Sequence, residues 1–201
     1  MPSTPDARQL KPIRVGALTL ALGFALVLAL GWLPVARFQA ETIRITVEPE
    51  GYTVDGWYTY ANPLPIPWVQ GLVVPTASGE GLEAPASVAA SLTRPWGEDL
   101  HVLWLLGRPR LQVPIPAREA VEIRITFHQQ APARRGTYLL KTTRPWGRPI
   151  EEAAFFLVPR CTRILGSSLD LEAVTGSGYR IRDFFPDTDW TFTWEPAPCD
   201  G

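Results

Sequence analysis

The chain has 201 residues, a net charge of −1, 46% hydrophobic and 19% charged residues. That balance excludes the basic footprint of a nucleic-acid-binding protein and the apolar-poor, charge-rich composition of a disordered chain. The 21 prolines and 16 glycines are spread along the sequence, which points to a folded chain with many turns.

Residues 1–12 read as a short polar tail. Residues 13–35 follow, and from Val15 to Val35 none carries a charge; Leu, Ala, Val and Phe fill every side. About 20 helical residues cross the hydrocarbon core of a bilayer, so this stretch predicts one transmembrane helix, closed near Trp32 and Pro34. Arg8, Lys11 and Arg14 precede it and Arg37 is the first basic residue after it. That asymmetry places the N-terminus in the cytoplasm and the body of the chain outside. A cleaved signal peptide is the competing reading, but its apolar region is shorter, and cleavage after Ala40 would put Phe38 where a small residue belongs. The expectation is an uncleaved signal anchor in the inner membrane, with residues 36–201 as a periplasmic or extracellular domain.

Beyond Arg37 the period changes to two. Ile43, Ile45 and Val47 alternate with Thr42, Arg44, Thr46 and Glu48, a half-buried strand. Pro49-Glu50-Gly51 turns the chain into a second strand over residues 52–61, which Asn62-Pro63 ends. Residues 69–75 form a short apolar strand, and 76–91 read as a loop of small residues. Residues 100–106 and 111–115 are strands around Gly107-Arg108-Pro109. Residues 120–128 alternate most clearly, with Val121, Ile123, Ile125 and Phe127 on one side. Further strands are expected at 136–143, 153–158 and 178–184. Trp190, Phe192 and Trp194 give the last one an aromatic face. Residues 167–174 alone suit a short helix. Many short strands between Gly/Pro turns predict a mainly β fold, an antiparallel β-sandwich.

Thr93-Arg94-Pro95-Trp96-Gly97 recurs as Thr143-Arg144-Pro145-Trp146-Gly147. Two copies do not establish a repeat architecture; a degenerate duplication and coincidence both stay open. Arg94, Trp96, Arg144 and Trp146 are nonetheless the candidate binding residues. A Trp at a corner can lie against a sugar or a partner, or simply close one end of a core. The two cysteines, Cys161 and Cys199, are expected to pair as a disulfide in an oxidising compartment.

The run Gly56-Trp57-Tyr58-Thr59-Tyr60-Ala61-Asn62-Pro63 is followed by Gly71-Leu72-Val73-Val74-Pro75. Later come Tyr138-Leu139-Leu140-Lys141-Thr142-Thr143, Trp146, Pro149 and Ala154-Phe155-Phe156. Together these resemble extracytoplasmic β-sandwich modules of bacterial inner-membrane proteins of the CreD-like kind, over about half of the chain. This sequence departs from them in having one apolar span instead of several. The resemblance implies an envelope location and a β-rich fold, and it carries over no catalytic residue.

Chemistry is sparse. His101 and His128 are the two histidines, and no G-x-S-x-G element accompanies the serines. Asp183, Asp187 and Asp189 precede the last strand but miss the EF-hand spacing, so no metal site and no cofactor are expected. The expected role is therefore not enzymatic. It is protein–protein contact by a membrane-anchored envelope domain, with the bilayer and an envelope protein as partners and no nucleic acid. Two alternatives stay open: a carbohydrate- or envelope-polymer-binding module using the Trp/Arg corners, and an envelope hydrolase using Asp183, Asp187, Asp189 and Glu195.

Overall fold

Alternating sequence becomes alternating burial. In the computed structural model, which describes residues 35–79, 82–95, 97–169 and 179–199, Ile43, Ile45 and Val47 are wholly buried in β1 (Arg37–Glu48) while Arg44 between them is exposed. The same pattern runs through β2 (Gly51–Ala61) and β8 (Ala120–Gln130). The described residues contain ten more strands: β3 (Trp68–Val73), β4 (Val88–Arg94), β5 (Glu98–Asp99), β6 (Leu103–Leu105), β7 (Arg108–Ile115), β9 (Arg135–Tyr138), β10 (Ile150–Pro159), β11 (Thr162–Ser167), β12 (Tyr179–Phe184) and β13 (Trp190–Pro196).

Seven strands form one large sheet in the order β12-β10-β1-β2-β8-β4-β5. Two three-stranded sheets, β11-β13-β9 and β3-β7-β6, supply the other residues of a shared core. The large sheet buries one face. Tyr52 of β2 meets Phe192 and Trp194 of β13 edge-on, at 5.2 and 6.2 Å between ring centroids. Phe155 of β10 meets Trp190 at 5.6 Å. The aromatic-faced last strand is thus core, as its alternation predicts. The other face is polar: Arg124 bonds Asp55 and lies 5.3 Å over the Trp57 ring.

Four expectations need correction. The sheets are mostly antiparallel, but β1 and β10 run parallel, with Ile43 opposite Phe155; the connection between them crosses the opposing layer, which no local period reveals. Residues 136–143 do not continue as a strand. After Tyr138 the chain tightens into a 3-10 helix, η1 (Leu140–Trp146), where Thr142 and Thr143 donate their hydroxyl protons to the carbonyls of Leu139 and Leu140, the local competition with strand pairing that Thr allows. Gly147, at φ +68°, ends it. Residues 88–91, read as the end of a loop, instead open β4, which pairs with β8 from Val88 to Arg94. Small side chains give it little strand propensity, and the neighbouring strand holds it. The helix expected at 167–174 begins instead in β11, and residues 170–178 lie outside the described residues.

Among the described residues no helix is long and apolar enough to cross a membrane. The transmembrane helix expected over 13–35 lies, but for Val35, outside the described residues. The pairing of Cys161 with Cys199 is present.

Candidate functional site

Of the four residues expected to bind, Arg94, Arg144 and Trp146 are described, and they stand in different surroundings. Arg94 ends β4 on the polar face of the large sheet, 3.6 Å from Glu122, with most of its side chain in water. Trp96 lies outside the described residues. Arg144 donates from Nε to the Pro186 carbonyl at 3.0 Å and sits 5.8 Å over the Phe185 ring. Trp146 packs on the buried face, 5.8 Å from Phe38 and 5.3 Å from Tyr60. Residues 93–94 are extended and 143–146 are helical, so the repeated pentapeptide does not mark a repeated unit of structure. Trp146 closes one end of the core. Replacing it with Ala removes a half-buried ring, and a loss of about 2 kcal/mol is expected in urea unfolding; a loss below about 0.5 kcal/mol would show that the ring is not held there.

Of the acidic residues named for a hydrolase, Asp189 and Glu195 each have a basic partner of their own. Asp189 accepts from the Lys141 backbone N–H at 2.9 Å and pairs with its ammonium at 3.6 Å. Glu195, six residues further along β13, pairs with Arg163. No three metal-ligating side chains gather among the described residues. His128 lies 3.2 Å from the Thr53 hydroxyl and 4.0 Å from Glu48 on the polar face.

Two features lie outside what the motifs of the sequence point to. The first is Glu41, 3% exposed, facing inward among tyrosines. It stands opposite Tyr58 and Ala153 in the sheet. Tyr58 and Tyr138 share a 2.6 Å hydroxyl–hydroxyl bond nearby. Its Oε1 has no hydrogen-bond partner, and burial pushes its pKa from 4.5 up to about 8. Burial also raises the phenols of Tyr58, Tyr60 and Tyr138, and the Glu41 carboxyl adds to the effect. The signal was present: Glu41 has the parity of Ile43, Ile45 and Val47, so the alternation extended backwards turns it inward. A bulge between Phe38 and Ala40 ends that parity just before it.

The second is the β6–β7 hairpin. Leu103, Trp104 and Leu105 are about half exposed, and Leu106 at the tip is 88% exposed. Leu106 and Gly107 have φ of +53° and +71°, the tight two-residue turn that prefers Asn-Gly. A Leu in the left-handed region costs about 1 kcal/mol, and here it gains no burial in return. Val73, Arg110 and Leu103 stand in one row across the small sheet, so Val73, 40% exposed, extends the apolar surface onto β3. The edge is open as well. β6 pairs only with β7 among the described residues. Val74 N–H donates to the Pro109 carbonyl at 3.0 Å, so Pro109 faces β3. By alternation Arg108 and Arg110 face β6 and bond Leu105 and Leu103. The Trp104 N–H and C=O therefore point outward. The sequence signal is the unalternated run Leu103–Leu106 placed against a turn.

No family model matches the chain, and no curated protein does. Among solved structures, a "putative nutrient binding protein" from Legionella pneumophila superposes with a TM-score of 0.57 at 14% identity, over 82% of this chain and 68% of that one. An M1 zinc metallopeptidase from Deinococcus radiodurans gives 0.44 at 12% identity, over 79% of this chain and 42% of that one. An aminopeptidase N family protein from Idiomarina loihiensis gives 0.40 at 11%, over 77% and 29%. The first likeness is one of fold; the other two are too distant to carry an argument.

Proposed function

We propose that this chain is a membrane-anchored envelope protein whose β domain works by contact with a partner protein through the β6–β7 hairpin. The observation that carries this reading is Leu106, an apolar residue held at positive φ and left in water at the tip of an apolar edge. Unfavourable backbone geometry at an exposed position suits a surface selected for contact over stability. An extended segment of the partner is the occupant that fits. Lipid would cover the leucines but leave the outward Trp104 N–H and C=O unbonded, which hydrocarbon penalises, whereas an added strand satisfies both. The apolar stretch at 13–35 supports the anchor, the basic residues before it support an N-terminus in the cytoplasm, and the paired cysteines favour an oxidising compartment for the domain. The resemblance to CreD-like modules agrees with that location.

The test is a photocrosslinker at residue 105 in the full chain, expressed in its own membrane. One protein adduct is expected. Leu106→Asn is expected to keep or slightly raise the melting temperature, because Asn tolerates the turn, yet to weaken the adduct at least fivefold. Trp104→Pro, which removes the outward donor, is expected to weaken it beyond Trp104→Ala. An adduct to lipid alone, or one indifferent to both substitutions, would overturn the reading.

A further inference from the structure

The loop between β2 and β3 carries a second apolar surface. Pro63, Pro65, Ile66, Pro67 and Val69 are all exposed there, Ile66 at 57% and Val69 at 48%. Apolar residues scattered singly over a surface need no explanation, but a contiguous group of them does.

The two ends of this loop hold the first residues of the domain. Ala61, before it, stands opposite Arg37 in the β1–β2 register. Gln70, after it and buried, accepts from the Ala36 N–H at 3.2 Å. Residue 36 directly follows the apolar stretch 13–35. Ile66 is four residues from Gln70, so it stands at most about 14 Å from it along the chain. The loop is therefore tied to the point where the apolar stretch ends.

The backbone of the loop suits lipid where that of β6 does not. Pro63, Pro65 and Pro67 have no N–H to satisfy. Leu64 donates its N–H to Oδ1 of Asn62 at 2.9 Å, and its carbonyl accepts from the Arg118 N–H at 3.0 Å. The Ile66 carbonyl accepts from Nδ2 of Asn62 at 2.8 Å. Asn62 is itself 2% exposed and donates its backbone N–H to the Glu119 carbonyl at 2.8 Å. One buried amide thus fixes the loop from beneath. Over residues 63–67 the Ile66 N–H is the backbone donor left without a described partner. An apolar edge of membrane penalises open backbone groups, and this loop presents few of them.

We infer that residues 63–67, with Val69, rest in the interface of the same bilayer that takes the stretch 13–35, as a second contact that sets the attitude of the domain to the membrane. The inference rests on the anchor of the proposed function. It also separates the two apolar surfaces. Arg108, at one end of β7, pairs with Leu105 of the hairpin, and Ile115, at the other end, pairs with Trp68 beside the loop. The eight residues of β7 put about 24 Å between those ends, so a loop seated on lipid leaves the hairpin tip one strand length away, free for a protein partner.

The test places a photocrosslinker at residue 24, 66, 69 or 165 of the full chain, one copy per nanodisc of phosphatidylcholine and phosphatidylglycerol, and reads the adducts by mass spectrometry. Leu165, 58% exposed on β11, is the reference of equal exposure, and residue 24 reports the anchor separately. Lipid adducts at 66 and 69 are expected to exceed those at 165 at least fivefold. Ile66→Asp is expected to lower the adduct at 69 at least fivefold with the melting temperature unchanged, while Leu165→Asp leaves that adduct as it was. Lipid at 24 with none above the reference at 66 and 69 overturns the inference and keeps the anchor. No lipid at 24 overturns the anchor and the premise of the inference with it. Adducts from 66 to residues 1–34 in place of lipid would make the chain's own N-terminal segment the occupant and overturn the inference, as would a lipid adduct at 69 that ignores Ile66→Asp in folded protein.

Discussion

Raising the pH from 5 to 9 is expected to destabilise the β domain by about 4 kcal/mol, and Glu41→Gln to abolish most of that loss. In the unfolded chain the Glu41 carboxyl ionises near 4.5; in the folded domain burial holds it protonated up to about 8. Between those values the folded state keeps a proton that the unfolded state releases, so stability falls as pH rises and levels off above the folded pKa. At about 1.4 kcal/mol per pH unit over the roughly three units of that window above pH 5, the total reaches about 4 kcal/mol. Burial opposes the ionised form: Oε1 has no hydrogen-bond partner among the described residues, and the nearby groups are phenols whose own ionisation is also opposed. Gln keeps the shape and removes the charge. Urea midpoints at pH 5, 7 and 9 for both proteins test this. Equal stability of the wild type at pH 5 and 9, or a variant that still follows the wild-type curve, would mean that Glu41 reaches water or a cation.

Replacing Cys161 and Cys199 together by Ser is expected to cost about 4 kcal/mol. The bond spans 38 residues, and freeing a loop of that length returns about this much chain entropy to the unfolded state. It ties the start of β11 to the segment after β13, where the Ala197 N–H also bonds the Cys161 carbonyl at 2.9 Å, so the constraint matches a contact the fold already makes. Reduction of the wild type should give the same loss as the double variant. A difference below about 1 kcal/mol in either experiment would show that the unfolded chain is already compact between these residues.

The two expectations depend on different kinds of information. The disulfide was legible because the sequence offers two cysteines and therefore one pairing. The burial of Glu41 was legible only in part. Its parity follows from Ile43, Ile45 and Val47, but a strand's buried face still needs a covering layer, and Tyr138 arrives from almost a hundred residues away. A repeated Thr-Arg-Pro-Trp-Gly looks like a shared device, yet one copy ends a strand and the other lies in η1, because the same five residues meet different neighbours.

Local sequence determined what local physics controls: most of the stretches that are strands, which side of β1, β2, β8 and β13 is apolar, and where Pro and Gly interrupt them. Tertiary structure decided what depends on partners. It set β10 parallel to β1, recruited the small residues of β4, buried Glu41 and left Leu103–Leu106 uncovered. A period of two names a face; only the rest of the chain, folded against it, determines whether protein or water covers that face.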